Sequence, residues 1–231
     1  MRTLKHSKID KDFEFNETTN YYLCIENPKF YREFITELSS DEDEETSFYL
    51  IENGKQIKLG KNLFFIRDPL DRAVDDKKLN TSIQKDLASS LDAQENENYL
   101  LLVNKINDYL ESISYDYPVK LTFDSEMGIS SFLKAFSVAY EKKNDGILER
   151  MIGNIKVLSR IFNFKVIVVL NLADYLEQEE FNLFLQECHK LEVSILVLSS
   201  HLPSYSFDNS FIVQIDSDLC ELHLDSKVKN D

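Results

Sequence analysis

The amino-acid sequence predicts an α/β fold built on a mostly parallel sheet. Its clearest strand is the run Val166–Leu170, which is apolar throughout and is flanked by Phe164 and Leu172. Such a run is typical of a strand that helices cover on both faces, as in parallel sheets. A helix predicted over 176–190 and a strand predicted over 193–199 follow it. Strand, helix and strand at this spacing indicate a right-handed parallel crossover.

The first 70 residues predict further strands around one helix. Asn27 and Pro28 supply an N-cap and a first-turn proline for that helix. Asn53 and Gly54 form a dipeptide typical of a two-residue hairpin turn. The predicted elements are strand 21–25, helix 28–38, hairpin strands 47–52 and 55–59, and strand 62–67.

The middle and the end of the chain predict both helices and strands. Alternation at Val119, Leu121 and Phe123 indicates a half-buried strand, and Asp124 and Ser125 are helix-start signals. The remaining predicted elements are helices 77–93, 98–111, 125–140 and 146–161, and strands 211–215 and 219–224.

The apolar stripes of the first two helices after residue 71 are sparse, which suits a paired-helix projection better than a globular core. We therefore predict an α/β head and a helical leg. The head comprises 1–70, 114–140 and 162–231, and the leg comprises 71–113 and 141–161.

The composition indicates a folded intracellular protein. With 231 residues, 43% of them hydrophobic, the chain can bury one substantial core. The three cysteines all lie in apolar segments, an arrangement that favours reduced thiols and a cytoplasmic location. No apolar stretch approaches the roughly 18 residues of a membrane span. We therefore expect no membrane association.

The net charge of −15 ordinarily argues against nucleic-acid binding, because phosphates are bound by clustered Lys and Arg. Net charge, however, averages over the whole surface. Part of the excess of negative charge lies in the acidic run 41–45, which we interpret as a solvated loop.

The strand 166–170 ends near an acid, a layout that holds magnesium in phosphate-cleaving enzymes. Asn171 stands where the metal-binding acid is expected, and Asp174 follows three residues later. A helix N-cap or first-turn role for Asp174 is favoured over catalysis. These features resemble the strand and acid of a nucleotidase. Nucleotidase activity would also require a phosphate-binding loop elsewhere in the chain.

Phosphate cradles need glycines, because backbone amides must approach the phosphate oxygens. The chain has five glycines, and the nearest match is GKQIKLGKN at 54–62. This segment has one residue too many between its glycines and carries Asn62 where the motif requires Ser or Thr. We therefore expect no nucleotide to bind.

Four segments, in this order along the chain, carry a resemblance to a known family. They are YYLCIENPKFYREFITEL (21–38), FYLIENGKQIKLGKNLFFIRDPLD (48–71), VKLTFDSEMGISSFLKAF (119–136) and KVIVVLNLADYLEQEEFNLFLQECHKLEVSILVLS (165–199). The ordered set resembles the CRISPR-associated adaptation proteins of subtype II-A systems, the Csn-type family. The N-terminal segment before Tyr21 looks longer than is usual in that family.

The resemblance implies a nucleotidase-like, P-loop-like head without a functional phosphate loop, a helical leg, and four copies closed into a homotetrameric ring. It also implies binding of double-stranded DNA ends by lysines that line the central hole, and calcium as the ion the ring needs. The partners it implies are the CRISPR integrase and the guide-RNA nuclease, in the acquisition of new spacers.

Lys55, Lys58 and Lys61 recur at a spacing of three, with no acid between Glu52 and Asp68. In a strand, Lys55 and Lys61 share one face and Lys58 takes the other, unless the Gly60 region bends the strand. The pattern alone also fits an edge hairpin protected from aggregation by lysines. The resemblance favours contacts with DNA phosphates, which carry no sequence preference. The further DNA-binding candidates are Lys29, Lys120 and Lys134.

Asp124 and Glu126 follow a predicted strand, with Asp116 upstream. Calcium binds several hard oxygens gathered from flexible backbone, so the three acids are candidate ligands. A helix N-cap with a favourable first-turn acid explains Asp124 and Glu126 equally well. Both interpretations remain open at this point.

The leading hypothesis is a non-enzymatic, calcium-dependent, ring-forming protein that binds DNA ends in CRISPR adaptation. One alternative is a metal-dependent nuclease or phosphatase that uses Asp174, Glu177 and Asp124. Another is an interaction scaffold whose acidic surface binds a basic partner.

Overall fold

A computed structural model describes residues 1–16, 19–40, 46–141, 146–205 and 210–224. The strands are β1 (Arg2–His6), β2 (Ile9–Phe15), β3 (Asn20–Ile25), β4 (Phe48–Glu52), β5 (Lys55–Ile57), β6 (Leu63–Ile66), β7 (Val166–Leu170), β8 (Ser194–Ser199), β9 (Ser210–Ile215) and β10 (Glu221–Leu224). The helices are α1 (Pro28–Ser39), α2 (Leu59–Asn62), α3 (Asp76–Ser90), α4 (Ala93–Ser114), α5 (Ile129–Ala135), α6 (Ile147–Arg160) and α7 (Gln178–Lys190). A 3₁₀ turn covers Leu172–Asp174. The acidic run 41–45 lies outside the described residues.

Six strands form the larger sheet, in the order β10-β9-β3-β8-β7-β6. All neighbouring pairs are parallel except β9 with β10, which are antiparallel. Strand β8 is buried along its whole length, as is β7 except at its last residue. This double-sided burial is the reason that both strands read as continuous apolar runs. The predicted α/β class with a mostly parallel sheet is confirmed.

The smaller sheet is antiparallel, in the order β2-β1-β4-β5. Its β4–β5 hairpin turns at Asn53 (φ 51°) and Gly54 (φ 77°), both left-handed, as a two-residue hairpin turn requires. The turn predicted from the Asn-Gly dipeptide is therefore confirmed. Strands β1 and β2 were not predicted.

Helix α1 is packed into the main core together with residues of both sheets. Its Asn27 N-cap accepts hydrogen bonds from the backbone amides of Lys29 and Phe30, as the sequence predicts. Phe30, Phe34 and Leu38 are buried at helical spacing on one face of α1. They join a core cluster that includes residues of β1, β3, β4, β7 and β8. The amphipathic pattern of α1 therefore specifies its buried face.

The chain divides into two units, defined here as the sheet unit (1–73 and 144–231) and the helical unit (74–143). This division differs from the predicted one, which assigned 114–140 to the head and 141–161 to the leg. Helix α6 packs on α7 within the sheet unit, because it buries an apolar face that includes Met151 and Ile155.

The helical unit contains α3, α4 and α5. The Tyr99 hydroxyl donates to the carbonyl of Met127 at 2.6 Å, and the Gln84 amide donates to the carbonyl of Val138 at 2.8 Å. The strand predicted over 119–123 is wrong. These residues have no regular structure and are exposed, because alternation alone does not supply the partner strand that backbone pairing requires.

No helix in the described part of the chain is both long enough and apolar enough to cross a membrane.

Candidate nucleic-acid interface

The three closely spaced lysines lie at the end of the β4–β5 hairpin. Lys55 begins β5, Lys58 is the N-cap residue of α2, and Lys61 lies in the last turn of α2. All three are exposed. The predicted strand 55–59 ends at Ile57, because the chain turns into α2. The chain therefore leaves the strand at the Gly60 region, the case in which the alternation of Lys55 and Lys61 with Lys58 does not apply.

Lys58 and Lys61 line a groove of about 530 Å³ in the sheet unit. Its other lining residues are Ser40, Thr46, Phe48, Leu50, Gln56, Ile57, Leu59 and Gly60. Phe48 and Leu50 are nearly fully buried, so part of the groove is lined by residues of the hydrophobic core. Among the described residues that line the groove there is no carboxylate. Lys58 and Lys61 are the charged residues in the described part of its lining.

The other candidate lysines lie elsewhere. Lys29 is exposed in the first turn of α1, whereas Ser40, at the opposite end of that helix, lines the groove. A 12-residue helix is about 18 Å long, so Lys29 is well separated from Lys58 and Lys61. Lys120 lies in the exposed segment before α5, and Lys134 lies in the last turn of α5, both in the helical unit. Of the six candidates, the structure brings Lys58 and Lys61 together in one groove.

The candidate calcium ligands Asp116, Asp124 and Glu126 are exposed in the helical unit. Within the described residues, no group of three His, Cys, Asp or Glu side chains is gathered closely enough to hold a metal ion. The three acids therefore do not form a shared cage in this conformation of one chain.

The alternative helix-cap interpretation of Asp124 and Glu126 is wrong. Helix α5 begins at Ile129, with Gly128 as its N-cap. Asp124 instead accepts a hydrogen bond from the backbone amide of Glu126 at 3.1 Å, which is a local turn.

The carboxyl edge of the larger sheet is where open α/β folds usually bind ligands. Asn171 follows β7 with φ 52° and accepts a hydrogen bond from the Tyr31 hydroxyl at 3.1 Å. Asp174 contacts His201 Nε2 at 2.8 Å. The N-cap of α7 is Glu177, which forms a capping box with Glu180. Of the two roles predicted for Asp174, the N-cap role is therefore wrong, whereas a first-turn role is confirmed in the 3₁₀ turn Leu172–Asp174.

Two tyrosine hydroxyls, of the buried Tyr22 and the half-buried Tyr205, connect distant segments at this edge. The Tyr22 hydroxyl donates to the carbonyl of His201 at 3.0 Å, and the Tyr205 hydroxyl donates to the carbonyl of Leu176 at 2.7 Å. Burial raises the pKa of Tyr205 to about 12 and also raises that of Tyr22, so both remain neutral donors at physiological pH. Sequence reasoning missed His201 and both tyrosines, because their partners are distant in the chain.

Comparisons with known proteins agree with this fold. A solved structure described as Stu0660 of Streptococcus thermophilus is similar, with a TM-score of 0.54 and 11% identity, over 96% of this chain and 76% of that chain. At this identity the likeness shows the fold alone. No curated protein matches the sequence. A family model described as CRISPR-associated protein (Cas_Csn2) matches residues 40–219, more than half of the chain. The chain therefore belongs to the Cas_Csn2 family of CRISPR-associated proteins, which confirms the resemblance read from its sequence.

Proposed function

We propose that this chain is a non-enzymatic subunit of CRISPR adaptation that binds the ends of double-stranded DNA without sequence preference. The observation that carries the proposal is that two exposed lysines, Lys58 and Lys61, line the same groove of the sheet unit. Lysine ammonium groups attract phosphates regardless of base sequence. The groove also lies within residues 40–219, the part of the chain that matches the family.

The sheet unit serves in this proposal as a nucleotidase-like, P-loop-like head without a phosphate loop. Strand β3 lies between β8 and β9 and leads directly into α1. Phosphate-binding loops occupy this kind of strand-to-helix junction. The connecting residues include no glycine. Asn27 already accepts from the amides of Lys29 and Phe30. Amides that are occupied in this way are not free to cradle a phosphate.

Nuclease or phosphatase activity has less support than binding. Asp174 is engaged by His201, and Glu177 caps α7. Asp124 belongs to the helical unit and accepts from its own turn. Each acid therefore has a separate local role, whereas two-metal chemistry needs carboxylates that converge on ions about 4 Å apart.

The assembly we propose is a homotetrameric ring that depends on calcium, with the helical unit as its leg. It acts in the cytoplasm together with the integrase and the guide-RNA nuclease of the same system. Calcium would be coordinated by acids of the helical unit, with Asp116, Asp124 and Glu126 as candidates. Because these acids do not converge within one chain, their coordination would need further ligands, such as backbone oxygens or water.

The experiment that tests DNA binding uses a fluorescently labelled linear duplex and measures its anisotropy with increasing protein. We expect Lys58→Glu/Lys61→Glu to weaken binding by at least about tenfold, because each change replaces attraction with repulsion. Lys190→Glu is the matched control, since Lys190 is an exposed lysine of the sheet unit outside the groove. Equal loss in both variants, with the oligomeric state preserved, would contradict the assignment of the groove.

A further inference from the structure

A second cavity, of about 480 Å³, lies at the amino ends of β7 and β8. Its lining includes Arg2 and Glu52 from the smaller sheet, and Lys165, Glu192 and Ser194 from around the larger one. Small-molecule sites are commonly clefts of about 300–1,000 Å³ with a few convergent polar groups. Its size and its two cations, Arg2 and Lys165, make this cavity a candidate ligand site.

Arg2 has donors that its neighbours leave unused. Its Nε donates to Glu52 Oε1 at 2.7 Å, which fixes the side chain across the β1–β4 pair. Its Nη1 is buried and has no acceptor among the described residues. Folded proteins rarely leave a buried donor unpaired, and an anion beside the guanidinium would offset the cost of doing so. A charged donor makes an anion the better match.

Lys165 supplies a second cation to the same cavity. Its Nζ lies 3.7 Å from Glu192 Oε2, which is longer than a hydrogen bond of 2.7–3.2 Å. The Glu192 side chain is 68% exposed, so solvent weakens this ion pair. Lys165 can therefore turn towards another anion at little cost.

The cavity wall is held by hydrogen bonds that join distant segments. The Ser194 hydroxyl donates to the carbonyl of Asn16 at 2.9 Å, and the Ser194 amide donates to the carbonyl of Lys165 at 2.9 Å. The amide of Ile195 donates to Asn20 Oδ1 at 3.1 Å. These contacts position Lys165 and the start of β8 before any ligand arrives, which lowers the entropic cost of binding.

We propose that this cavity, named here the Arg2–Lys165 cavity, binds a phosphate group. Arginine offers a planar fork of donors and lysine a point charge, the pair of cations that proteins use most for phosphate. Glu52 holds the guanidinium through Nε, whereas Glu192 competes with the ligand for Lys165. The phosphate can be free or can be the terminal group of a nucleic acid. The site is separate from the lysine groove, so the two proposals can fail independently.

The test is a titration of the full chain with inorganic phosphate, followed by amide chemical shifts at constant ionic strength. We expect saturable shifts around Lys165 and Ser194, and Lys165→Gln should weaken binding by about tenfold. Glu192→Gln should strengthen binding, because it removes the competing carboxylate. Lys190→Gln serves as the matched control and should change nothing. A role of Lys165 that is merely structural does not predict opposite effects of Lys165→Gln and Glu192→Gln.

A second arm compares duplexes with and without a 5′-phosphate. A preference for the phosphorylated end that Lys165→Gln removes would identify the nucleic acid as the source of the phosphate, whereas binding of inorganic phosphate alone would identify a free ligand. Either result supports the site. Shifts that chloride reproduces at the same ionic strength, or equal phosphate affinity in the Lys165→Gln and Glu192→Gln variants, would overturn it.

Discussion

His201 Nε2 and Asp174 Oδ1 lie 2.8 Å apart at the carboxyl edge of the larger sheet. The pair joins the loop after β8 to the 3₁₀ turn after β7, at the position where a nucleotidase would hold its magnesium. His201 also contributes its carbonyl to the Tyr22 hydroxyl. The acid that made the sequence look like a nucleotidase therefore belongs to a hydrogen-bonded network of the protein itself.

We expect the protein neither to bind nor to hydrolyse ATP. Asn27 occupies two amides at the start of α1, and Asp174 is engaged by His201. Titration calorimetry with ATP and magnesium should therefore give no saturable heat in the Lys165→Gln variant, in which the Arg2–Lys165 cavity is weakened and the carboxyl edge is unchanged. The opposite result, micromolar affinity that weakens in Asp174→Ala, would show that the carboxyl edge is a working nucleotide site.

Linear DNA should bind much better than closed circular DNA of the same sequence. A ring can be threaded only from an end, whereas an open surface patch contacts both forms equally. Binding to the linear form should also fall steeply with salt through counterion release. Competition of labelled linear duplex against each unlabelled form measures this difference, and equal competition would reject the ring.

Removal of calcium should loosen the assembly, because uncompensated carboxylates repel one another. Asp124→Ala/Glu126→Ala should then lose the calcium response in sedimentation velocity, while Asp108→Ala, an exposed acid on α4, should keep it. An assembly whose sedimentation is the same with calcium and with chelator would argue against this role.

The sheet unit should lose stability as the pH falls below about 6.5. His6 is 3% exposed, and its Nε2 has no acceptor within the described residues. Burial lowers its pKa from the ordinary value of 6.5, a shift that nearby Glu37 opposes and Lys8 reinforces. Between the lowered pKa and 6.5 the unfolded chain binds more protons than the folded chain. Acid therefore favours unfolding in this window, whereas stability is unaffected by His6 above it.

Urea unfolding at pH 7.5 and at pH values below 6.5 measures the His6 effect. His6→Phe should flatten the pH dependence in this window, because phenylalanine does not titrate and suits a site lined by Phe30, Phe34 and Phe48. If the variant kept the slope of the natural chain, other groups would be responsible.

Glu221 should stabilise the attachment of the N-terminal hairpin. Its carboxylate accepts from the amides of Asp10 at 2.7 Å and Lys11 at 3.0 Å, which joins β10 to the open edge of β2. Hydrogen bonds to a charged group contribute about 1.5–3 kcal/mol each, so the loss of both in Glu221→Ala should lower the free energy of unfolding by up to about 3–6 kcal/mol. Glu14→Ala, an exposed change on the same hairpin, should have little effect in the same urea titration. Equal losses in both variants would contradict the specific role of Glu221.

The sequence alone determined those elements whose signals are local. The apolar run of β7, the Asn27 cap of α1 and the Asn53-Gly54 turn each depend on neighbouring residues, so pattern and turn chemistry specify them. The same holds for family membership, because it rests on an ordered set of such segments.

Only the tertiary structure decided what depends on partners distant in the chain. Strands β1 and β2 are short and rich in charge, and they are stabilised by pairing with β4 and by contacts with Glu221. Residues 119–123 carry a strand-like alternation but have no such pairing. The groove of Lys58 and Lys61 forms because the chain turns into α2 beside β4. Backbone pairing and side-chain convergence are long-range properties, and a linear pattern does not encode which distant segment supplies the partner.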